Sequence, residues 1–296
     1  MTRSRVRHVA GLAAAGIALT GAIGVTATTN APPAEAAPGS IRIITHNLEK
    51  EQGALDAVKA KVAATDGPEV VLLQEVCESL LPQINDMGHA NFRPRKTHPK
   101  CGEGQKIGEA VVWTGGNEAG KNNPTLVKDA GHRYGLACVT FRYAGRSTRA
   151  CSTHLAAGED KDGVRTKITR DIRAKSTTWI GNGHRVIVGG DFNSNPQDGA
   201  MDHMYGVGGG GAVGPFRELH QMAGEGTTAR AGLATKGGRK IDYIFVSERD
   251  TRPSGGTEQT CNGEKPGETV DDYEANHCTT SDHRLLWGTA KLKSRG

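Results

Sequence analysis

The sequence is poor in aromatic residues and lacks a long apolar segment after its first residues. Only 4% of the 296 residues are Phe, Trp or Tyr, and no aromatic or apolar hairpin suited to contact a lipid surface stands out. No stretch beyond residue 36 is apolar and long enough to cross a bilayer. Neither a G-x-S-x-G motif nor a G-x-x-x-x-G-K-[ST] loop is present, so serine hydrolases and NTP-binding proteins have no support.

The N-terminus has the pattern of a secretory signal peptide. Three arginines among the first seven residues precede an uncharged Ala- and Gly-rich run at 9–25, and Ala34-Glu35-Ala36 matches an A-x-A cleavage site. A membrane anchor is the alternative, but the run is short and only weakly apolar. Because the arginines are not adjacent, a Sec-type signal is favoured. We predict cleavage near Ala36 and a secreted chain of residues 37–296.

The predicted mature chain is mildly basic. Removing residues 1–36 takes away three arginines and one glutamate, which lowers the formal net charge from +5 to +3. Such a charge is compatible with a phosphate-rich partner without requiring one. The mature sequence has no short repeat and no low-complexity linker. One domain is therefore the simplest prediction.

Six cysteines in an exported chain predict three disulfides. Residues 136–143 and 146–154 read as two strands joined by a turn at Ala144-Gly145, and this register places Cys138 opposite Cys151. Cys261 and Cys278 flank a polar loop, which leaves Cys77 and Cys101 for each other. Each bridge is expected to stabilise the fold by about 2–4 kcal/mol.

Residues 185–196, RVIVGGDFNSNP, form the central motif of the sequence. The apolar β-branched run at 186–188 predicts a strand buried on both faces. Two glycines then allow a tight turn beside a bound group. Asp191 and Asn193 would point the same way if strand geometry persisted. An acid and an amide at the end of a buried strand indicate a site, although an Asx-rich turn is the alternative.

Other segments predict the elements around this strand. Helical spacing of apolar residues appears at 53–64 and at 163–179. Residues 91–108 read as a basic loop containing Pro and Gly, and Glu109 directly precedes a strand at 110–113. Residues 117–123 read as a turn region.

Polar groups recur at the ends of the predicted strands. They are Asn47 after 41–45, Glu75 after 70–73, His154 at the end of the hairpin, Asp242 near the start of 241–246, and Asp282 and His283 before 285–292. If these strand ends meet at one edge, they form an acidic cleft with two histidines. Oxygen ligands favour Mg²⁺, Mn²⁺ or Ca²⁺ over zinc. A hard cation beside imidazoles suits phosphoester hydrolysis.

The ordered motifs together resemble the endonuclease/exonuclease/phosphatase superfamily, deoxyribonuclease I-like. They are THN (45–47), QE (74–75), STH (152–154), GDFN (190–193), IDYIF (241–245) and SDH (281–283). The resemblance implies an α+β fold over 37–296, a four-layered α/β/β/α sandwich of two mixed β-sheets flanked by helices. It also implies a metal-dependent phosphodiesterase, with Mg²⁺ as the expected ion and Mn²⁺ or Ca²⁺ as alternatives.

The resemblance assigns a metal site to the ends of the first two strands. Glu75, with Asn47 beside it, would hold the divalent ion, and Asp282 would contribute to the same site. Glu49 falls where some members of the superfamily place another metal-linked carboxylate.

Two histidines would act on protons and on the phosphate. His283 would be the base or the phosphate-polarising imidazole, oriented by Asp242. His154 would be the second catalytic imidazole, and Glu109 stands where the superfamily places the acid that orients it.

Three further positions concern the substrate phosphate. Asp191 and Asn193 would position the nucleophile and a phosphate oxygen, and Arg133 would bind a phosphate. The sequence departs from deoxyribonuclease I-like members at Cys77, where they place an arginine. It departs from inositol-phosphatase-like members at Asn195, where they also place an arginine.

The leading hypothesis is a secreted metal-dependent nuclease that hydrolyses DNA, with RNA as the less favoured substrate, acting as a monomer without stable membrane insertion. The alternative is a secreted sphingomyelinase-type phospholipid phosphodiesterase, which the low aromatic content disfavours. A binding module that has kept the fold but lost activity is a third hypothesis, disfavoured because every acid, amide and histidine of the motifs is present.

Overall fold

Two six-stranded β-sheets form the framework of the part of the chain that the computed structural model describes. The described residues are 39–64, 67, 69–116, 118–129, 131–208, 211–223, 229–251, 257–260 and 281–293. The predicted signal peptide (1–36) and the predicted Cys261–Cys278 bridge lie outside these residues. None of the described helices is long and apolar enough to span a membrane.

Fourteen strands and four α-helices are described. The strands are β1 (Ser40–Asn47), β2 (Glu69–Cys77), β3 (His89–Thr97), β4 (Lys106–Trp113), β5 (Glu118–Asn122), β6 (Thr125–Asp129), β7 (His132–Gly135), β8 (Ala137–Tyr143), β9 (Arg146–His154), β10 (Arg185–Asp191), β11 (Phe216–Glu218), β12 (Asp242–Ser247), β13 (Thr257–Thr260) and β14 (Leu285–Lys291). The helices are α1 (Gln52–Ala63), α2 (Leu81–Asp86), α3 (Asp162–Gly181) and α4 (Leu219–Ala223).

Both large sheets are mixed, as the resemblance implied. The first has the strand order β13-β14-β1-β2-β4-β3 and the second β11-β12-β10-β9-β8-β5, while β6 and β7 form a separate ribbon. In the first sheet β1 runs parallel to β2 and antiparallel to β14. In the second, β10 runs parallel to β9 and antiparallel to β12.

Three buried clusters define the layers of the sandwich. One fills the space between the sheets, where Trp113 of β4 stacks on Phe141 of β8 with ring centroids 3.8 Å apart. A second packs α1 on the outer face of the first sheet through Leu55 and Val58. The third includes Ile168 and Ile172 of α3 with the outer face of the second sheet. The predicted α/β/β/α sandwich is therefore confirmed.

The central strand alternates between two of these clusters. Ile187 belongs to the cluster between the sheets, whereas Val186 and Val188 belong to the cluster under α3. A strand with apolar layers on both sides needs an uninterrupted apolar run, which the sequence supplies. The prediction of a strand buried on both faces is confirmed.

The two glycines of this strand allow neighbouring residues to pack closely against its backbone. A Cβ on Gly189 would lie 2.7 Å from Cδ1 of Leu72 in the facing sheet. Gly190 has a φ of +139°, and a Cβ there would lie 2.0 Å from the carbonyl oxygen of Thr153 in β9. The expected tight turn beside a bound group is thus corrected: β10 continues through both glycines and ends at Asp191.

Two segments predicted as loop or turn are strands. Residues 89–97 form β3 and residues 118–122 form β5, and each strand is the last one of its sheet. An edge strand tolerates Pro94, because half of its backbone groups face away from the sheet, and β3 has a register shift between Pro94 and Lys96. Glu109 lies within β4 and does not merely precede it.

Two predicted disulfides are confirmed. The hairpin of β8 and β9 pairs Cys138 with Cys151 in register, and these two cysteines are bonded. Ala144 and Gly145 both have positive φ at its two-residue turn, as a type I′ turn requires. Cys77 and Cys101 form the second bridge.

Candidate active site

The topology brings the predicted polar strand ends to one edge of both sheets. The parallel pairing of β1 and β2 ends there at Asn47 and Gln74, next to Glu75, and the parallel pair β9 and β10 ends there with His154 and Asp191. β2 itself continues past Glu75 to Cys77. Because β12 and β14 run antiparallel to these strands, they begin at the same edge. Asp242 pairs directly with Asp191. Consecutive parallel and antiparallel strands therefore assemble the site from distant segments.

Asp191 lies at the centre of this edge. Its Oδ2 accepts a hydrogen bond of 3.1 Å from Nδ2 of Asn47. The same oxygen lies 3.4 Å from Nε2 of His154 and 3.6 Å from Nε2 of His283. Burial raises the pKa of Asp191 to about 6, with Asp242 adding to the rise and His283 opposing it. One carboxylate thus contacts both predicted catalytic histidines.

His283 forms a buried pair with Asp242. Its Nδ1 donates to Oδ2 of Asp242 at 2.9 Å, which is the orientation that the sequence predicted. Burial alone would lower the pKa of His283, but Asp242 and Asp191 outweigh burial and raise it to about 9. On the other side of the ring, Nε2 lies 3.1 Å from Nζ of Lys236 and 3.4 Å from Nδ2 of Asn47.

His154 is held by an arginine rather than directly by Glu109. An NH2 group of Arg95 lies 3.1 Å from Nδ1 of His154, and Nε of Arg95 lies 2.8 Å from Oε1 of Glu109. Oε2 of Glu109 lies 3.3 Å from Nη1 of Arg93. Burial lowers the pKa of His154 well below its usual range, and the charges of Arg95 and His283 act in the same direction. Burial raises the pKa of Glu109 despite Arg95 and Arg93.

Two of the predicted metal ligands each contact a lysine. Glu75 forms an ion pair with Lys50. Burial alone would raise the pKa of Glu75, but Lys50 outweighs burial and the net shift is downward. Oδ2 of Asp282 lies 2.6 Å from Nζ of Lys236. Glu49 accepts a 3.3 Å hydrogen bond from the backbone N–H of Asp282, so it reaches the same edge.

Asn47 and Asn193 are tied to the backbone around them. Oδ1 of Asn47 accepts from the N–H of Glu49 at 3.0 Å. The N–H of Asn193 donates to Oδ1 of Asp191 at 2.8 Å, and its Nδ2 donates to the carbonyl of Leu155 at 3.2 Å. Strand geometry does not persist beyond Asp191, so the Asx-turn alternative describes the local backbone while the acid still lies in the site.

Backbone strain is concentrated at this edge. Among the described residues, five non-glycine positions have positive φ, and four of them belong to the site: Glu49, Lys50, Glu75 and Asn193. Glu75 also falls in a register shift between β2 and β4, at a bulge that redirects its side chain. Residues held in sparsely populated conformations cluster at functional sites, because the surrounding structure must hold them there.

The edge opens into a cleft of about 490 Å³. His154 and Glu75 lie at its lining together with Arg133, which is exposed on β7 as its predicted phosphate-binding role requires. Besides His154, the lining includes seven lysine, arginine and histidine side chains: Lys50, Arg95, Lys96, His98, His132, Arg133 and Lys161. Its acidic members are Glu75 and Asp129.

Three site residues were not predicted from the sequence. Lys50 lies three residues after the THN motif, and this position shortly after the end of β1 was the only sequence signal for it. Arg95 belongs to the segment read as a basic loop, where its charge was visible but its contact with His154 was not. Lys236 precedes β12 in a loop without a motif, and no sequence signal indicated its contact with His283.

The donor set at this edge fits a hard divalent cation. Ligand atoms of Asp191, Asp242 and His283 lie within 4.8 Å of one another, and all three residues are buried. Oδ1 of Asp242 is buried and has no hydrogen-bond partner among the described residues. Glu75 and Asp282 add two carboxylates, each of which forms an ion pair with a lysine, Lys50 and Lys236 respectively. Carboxylate oxygens are the ligands that such ions prefer.

With this fold and this site, the chain belongs to the Endonuclease/Exonuclease/phosphatase family, whose sequence model matches residues 44–283. The matched range contains every predicted site residue, and the fold is that of the deoxyribonuclease I-like superfamily. The protein is accordingly a phosphoric ester hydrolase of the phosphodiesterase or nuclease type. A search of curated proteins for sequence relatives finds no match.

Solved structures share the fold at low sequence identity. TDP2 from D. rerio, complexed with a single-strand DNA product, matches with a TM-score of 0.59 and 13% identity over 85% of this chain and 98% of its own. The human Nocturnin catalytic domain, with a bound sulfate anion, matches with a TM-score of 0.60 and 18% identity over 87% and 95%. SmcL matches with a TM-score of 0.54 and 18% identity over 86% and 99%.

Proposed function

We propose that this protein is a secreted, divalent-metal-dependent nuclease that hydrolyses phosphodiester bonds in DNA or RNA. The observation that carries the proposal is the basic cleft that begins beside His154 and Glu75. A polynucleotide brings one negative charge for every nucleotide, so a cleft lined by several basic side chains next to the catalytic edge favours it. A phospholipid headgroup brings a single phosphate and would use little of this surface.

The metal would be held by carboxylates of the catalytic edge. Glu75 and Asp282, with Asn47, remain the proposed ligands, and Asp191 and Asp242 lie next to them. When bound, the ion would neutralise negative charge on the phosphate oxygens. Mg²⁺ is the proposed ion, with Mn²⁺ and Ca²⁺ as alternatives of the same ligand preference.

His283 is placed to accept the proton of the attacking water. Its Nδ1–H is fixed on Asp242, so its Nε2 is the nitrogen left to exchange a proton. The carboxylates of Asp242 and Asp191 stabilise the imidazolium that forms, which is why its pKa is raised. His154 contacts the same Oδ2 of Asp191 and lies at the cleft, where it would meet the phosphate and complete the proposed pair.

Secretion rests on the N-terminal pattern and on the disulfides. Two bridges formed among the described cysteines are compatible with an oxidising compartment. Detection of the protein in culture medium, with an N-terminus near residue 37, would support this part of the proposal. Retention of the uncleaved chain in cells would contradict it.

A side-by-side assay tests the activity. Plasmid DNA, RNA and sphingomyelin vesicles are incubated with the purified chain and Mg²⁺, and then with EDTA. We expect cleavage of nucleic acid that EDTA abolishes and added Mg²⁺ restores. Hydrolysis of sphingomyelin alone would overturn the nuclease assignment, and cleavage that persists in EDTA would overturn the metal role.

Histidine variants separate catalysis from folding. His154→Ala and His283→Ala are each expected to reduce hydrolysis at least 10²-fold while the thermal unfolding transition stays close to that of the wild type. His184→Ala is a matched control, because His184 precedes β10 at the strand end opposite Asp191. Equal losses in all three variants would contradict the assignment.

A further inference from the structure

The contact between Arg95 and His154 determines where the imidazole carries its proton. Arg95 approaches Nδ1 of His154 with an NH2 group at 3.1 Å. A guanidinium has five N–H donors and no acceptor, and it stays protonated in proteins. The nitrogen that it contacts must therefore offer a lone pair. In a neutral imidazole the single proton then lies on Nε2.

The surroundings of the other ring nitrogen, Nε2, agree with this tautomer. Nε2 of His154 lies 3.4 Å from Oδ2 of Asp191, a carboxylate oxygen that can only accept when ionised. An Nε2–H group beside Asp191 and a lone pair facing Arg95 suit the charges of both neighbours. Because 3.4 Å is longer than an N–H···O hydrogen bond, the Nε2–H stays available to a phosphate oxygen. The opposite tautomer would place an N–H against the guanidinium and a lone pair against the carboxylate, so both contacts would be repulsive.

Arg95 is itself fixed in position. Its Nε lies 2.8 Å from Oε1 of Glu109, which is fully buried in β4. The second oxygen of Glu109 pairs with Arg93, whose NH2 group donates to the carbonyl of Arg133 at 2.9 Å. A planar guanidinium can contact a carboxylate with one edge and an imidazole with another, which an ammonium cannot do in the same way.

We propose that Arg95 is a positioning residue that holds His154 as the neutral Nε2–H tautomer, so that His154 enters phosphodiester hydrolysis as a hydrogen-bond donor and not as a proton acceptor. The proposal rests on the proposed function and assigns its two imidazoles different tasks. His283 exchanges the proton, whereas His154 donates through Nε2–H to a phosphate oxygen or the leaving oxygen. Donors aimed at developing charge stabilise the transition state without a proton transfer of their own.

The tautomer is measured directly by nitrogen NMR. The full chain is labelled with ¹⁵N-histidine, and the His154 signals are assigned by their loss in His154→Gln. At pH 7.5 we expect Nε2 in the protonated range and Nδ1 in the non-protonated range. A protonated Nδ1, with or without a protonated Nε2, would overturn the proposal. This readout needs no substrate, so it stands or falls independently of nuclease activity.

Substitution of Arg95 tests whether the contact sets the tautomer. In Arg95→Met we expect the Nδ1–H form of His154 to appear and kcat on DNA to fall at least tenfold, with a smaller change in KM. Lys96→Met is the matched control: it removes the same charge from the same cleft, and it should leave the Nε2–H signal unchanged. Equal tautomer shifts in both variants would show an effect of charge alone and would overturn the role of the contact.

A conservative variant, together with the wild type, keeps the test decisive if Arg95→Met does not fold. Arg95→Lys keeps the charge but loses the planar fork, so we expect a mixture of tautomers and an intermediate kcat. If Arg95→Met fails to fold, the wild-type spectrum together with Arg95→Lys still decides the question. A lysine variant with the wild-type spectrum and wild-type kcat would overturn the requirement for the guanidinium.

Discussion

Lys50 forms an ion pair with Glu75, the carboxylate that the family resemblance assigns to the metal. Both residues have positive φ, and both lie at the catalytic edge beside the neighbouring strands β1 and β2. Their pairing outweighs burial and lowers the pKa of Glu75. An ammonium and a divalent cation would compete for the same oxygens. Metal binding at Glu75 therefore requires Lys50 to move or to share the carboxylate.

Lys50→Met should tighten metal binding. Removing the competing charge is expected to lower the dissociation constant for Mg²⁺ or Mn²⁺ by about tenfold, measured by calorimetry without substrate. Lys96→Met is the control, because it removes one positive charge from the same cleft without a described contact to Glu75. Metal affinity that is unchanged by Lys50→Met, or raised equally by both substitutions, would argue against direct competition.

The two described disulfides should differ in their effect on activity. Each closes a loop, with sequence separations of 24 for Cys77–Cys101 and 13 for Cys138–Cys151, so each double Cys→Ala variant should lose about 3 kcal/mol of unfolding free energy. Cys77 follows Glu75 by two residues, so removing its bridge should also reduce kcat. Removing Cys138–Cys151, which joins β8 and β9 within a sheet, should reduce stability alone. Denaturant unfolding and hydrolysis rates check both expectations, and equal activity losses would contradict them.

The fold was predictable where burial dictates the residue types. The strand at 185–191 and its neighbours lie between apolar layers. Continuous runs of β-branched apolar residues are typical of strands that are buried on both faces. The hairpin register followed from its two-residue turn. β3 and β5 were missed, and both lie at the edge of a sheet. An edge strand faces solvent along one side and tolerates charge and proline, so its sequence resembles that of a loop.

The site was predictable to the extent that strand ends determine it. Asn47, Asp191 and His283 could be placed together because parallel strands end, and antiparallel strands begin, at the same edge. The positively charged side chains of the site, Lys50, Arg95 and Lys236, could not be placed in this way. Arg95 reaches His154 from an edge strand, and the chain offers no periodic pattern that indicates such a contact.

Asp242→Asn should change the pH dependence of hydrolysis. Asp242 is the strongest influence that raises the pKa of His283, which reaches about 9 despite burial. If His283 must be neutral to accept a proton, the rate rises with pH through this pKa. An amide in place of the carboxylate lowers the pKa, so the rising limb should move to lower pH, while the maximal rate falls by about 10²–10⁴-fold.

The pH–rate profile of kcat with saturating Mg²⁺ is the measurement. Thermal unfolding at pH 7 checks that the variant is folded. A limb that stays at the wild-type position while the rate falls would mean that Asp242 acts on something other than His283.

His46→Gln should protect the fold against mild acid. His46 is buried at the end of β1, and burial, together with the charge of His283, lowers its pKa to about 4. The unfolded chain takes up a proton near pH 6.5, whereas the folded chain excludes it until about pH 4. Stability contributed by neutral His46 is therefore complete above pH 6.5 and is lost as the pH falls towards 4. The loss amounts to about 3 kcal/mol.

Glutamine has similar polarity and does not titrate, so the variant should lose less stability between pH 7 and pH 4 than the wild type, whatever its stability at pH 7. Urea unfolding at several pH values measures the slope. His132→Gln removes an exposed histidine of β7 and is the control. If His46→Gln and the wild type show the same slope, the imidazole of His46 takes up its proton in the folded chain, and the edge beneath His283 is more accessible to water than its burial indicates.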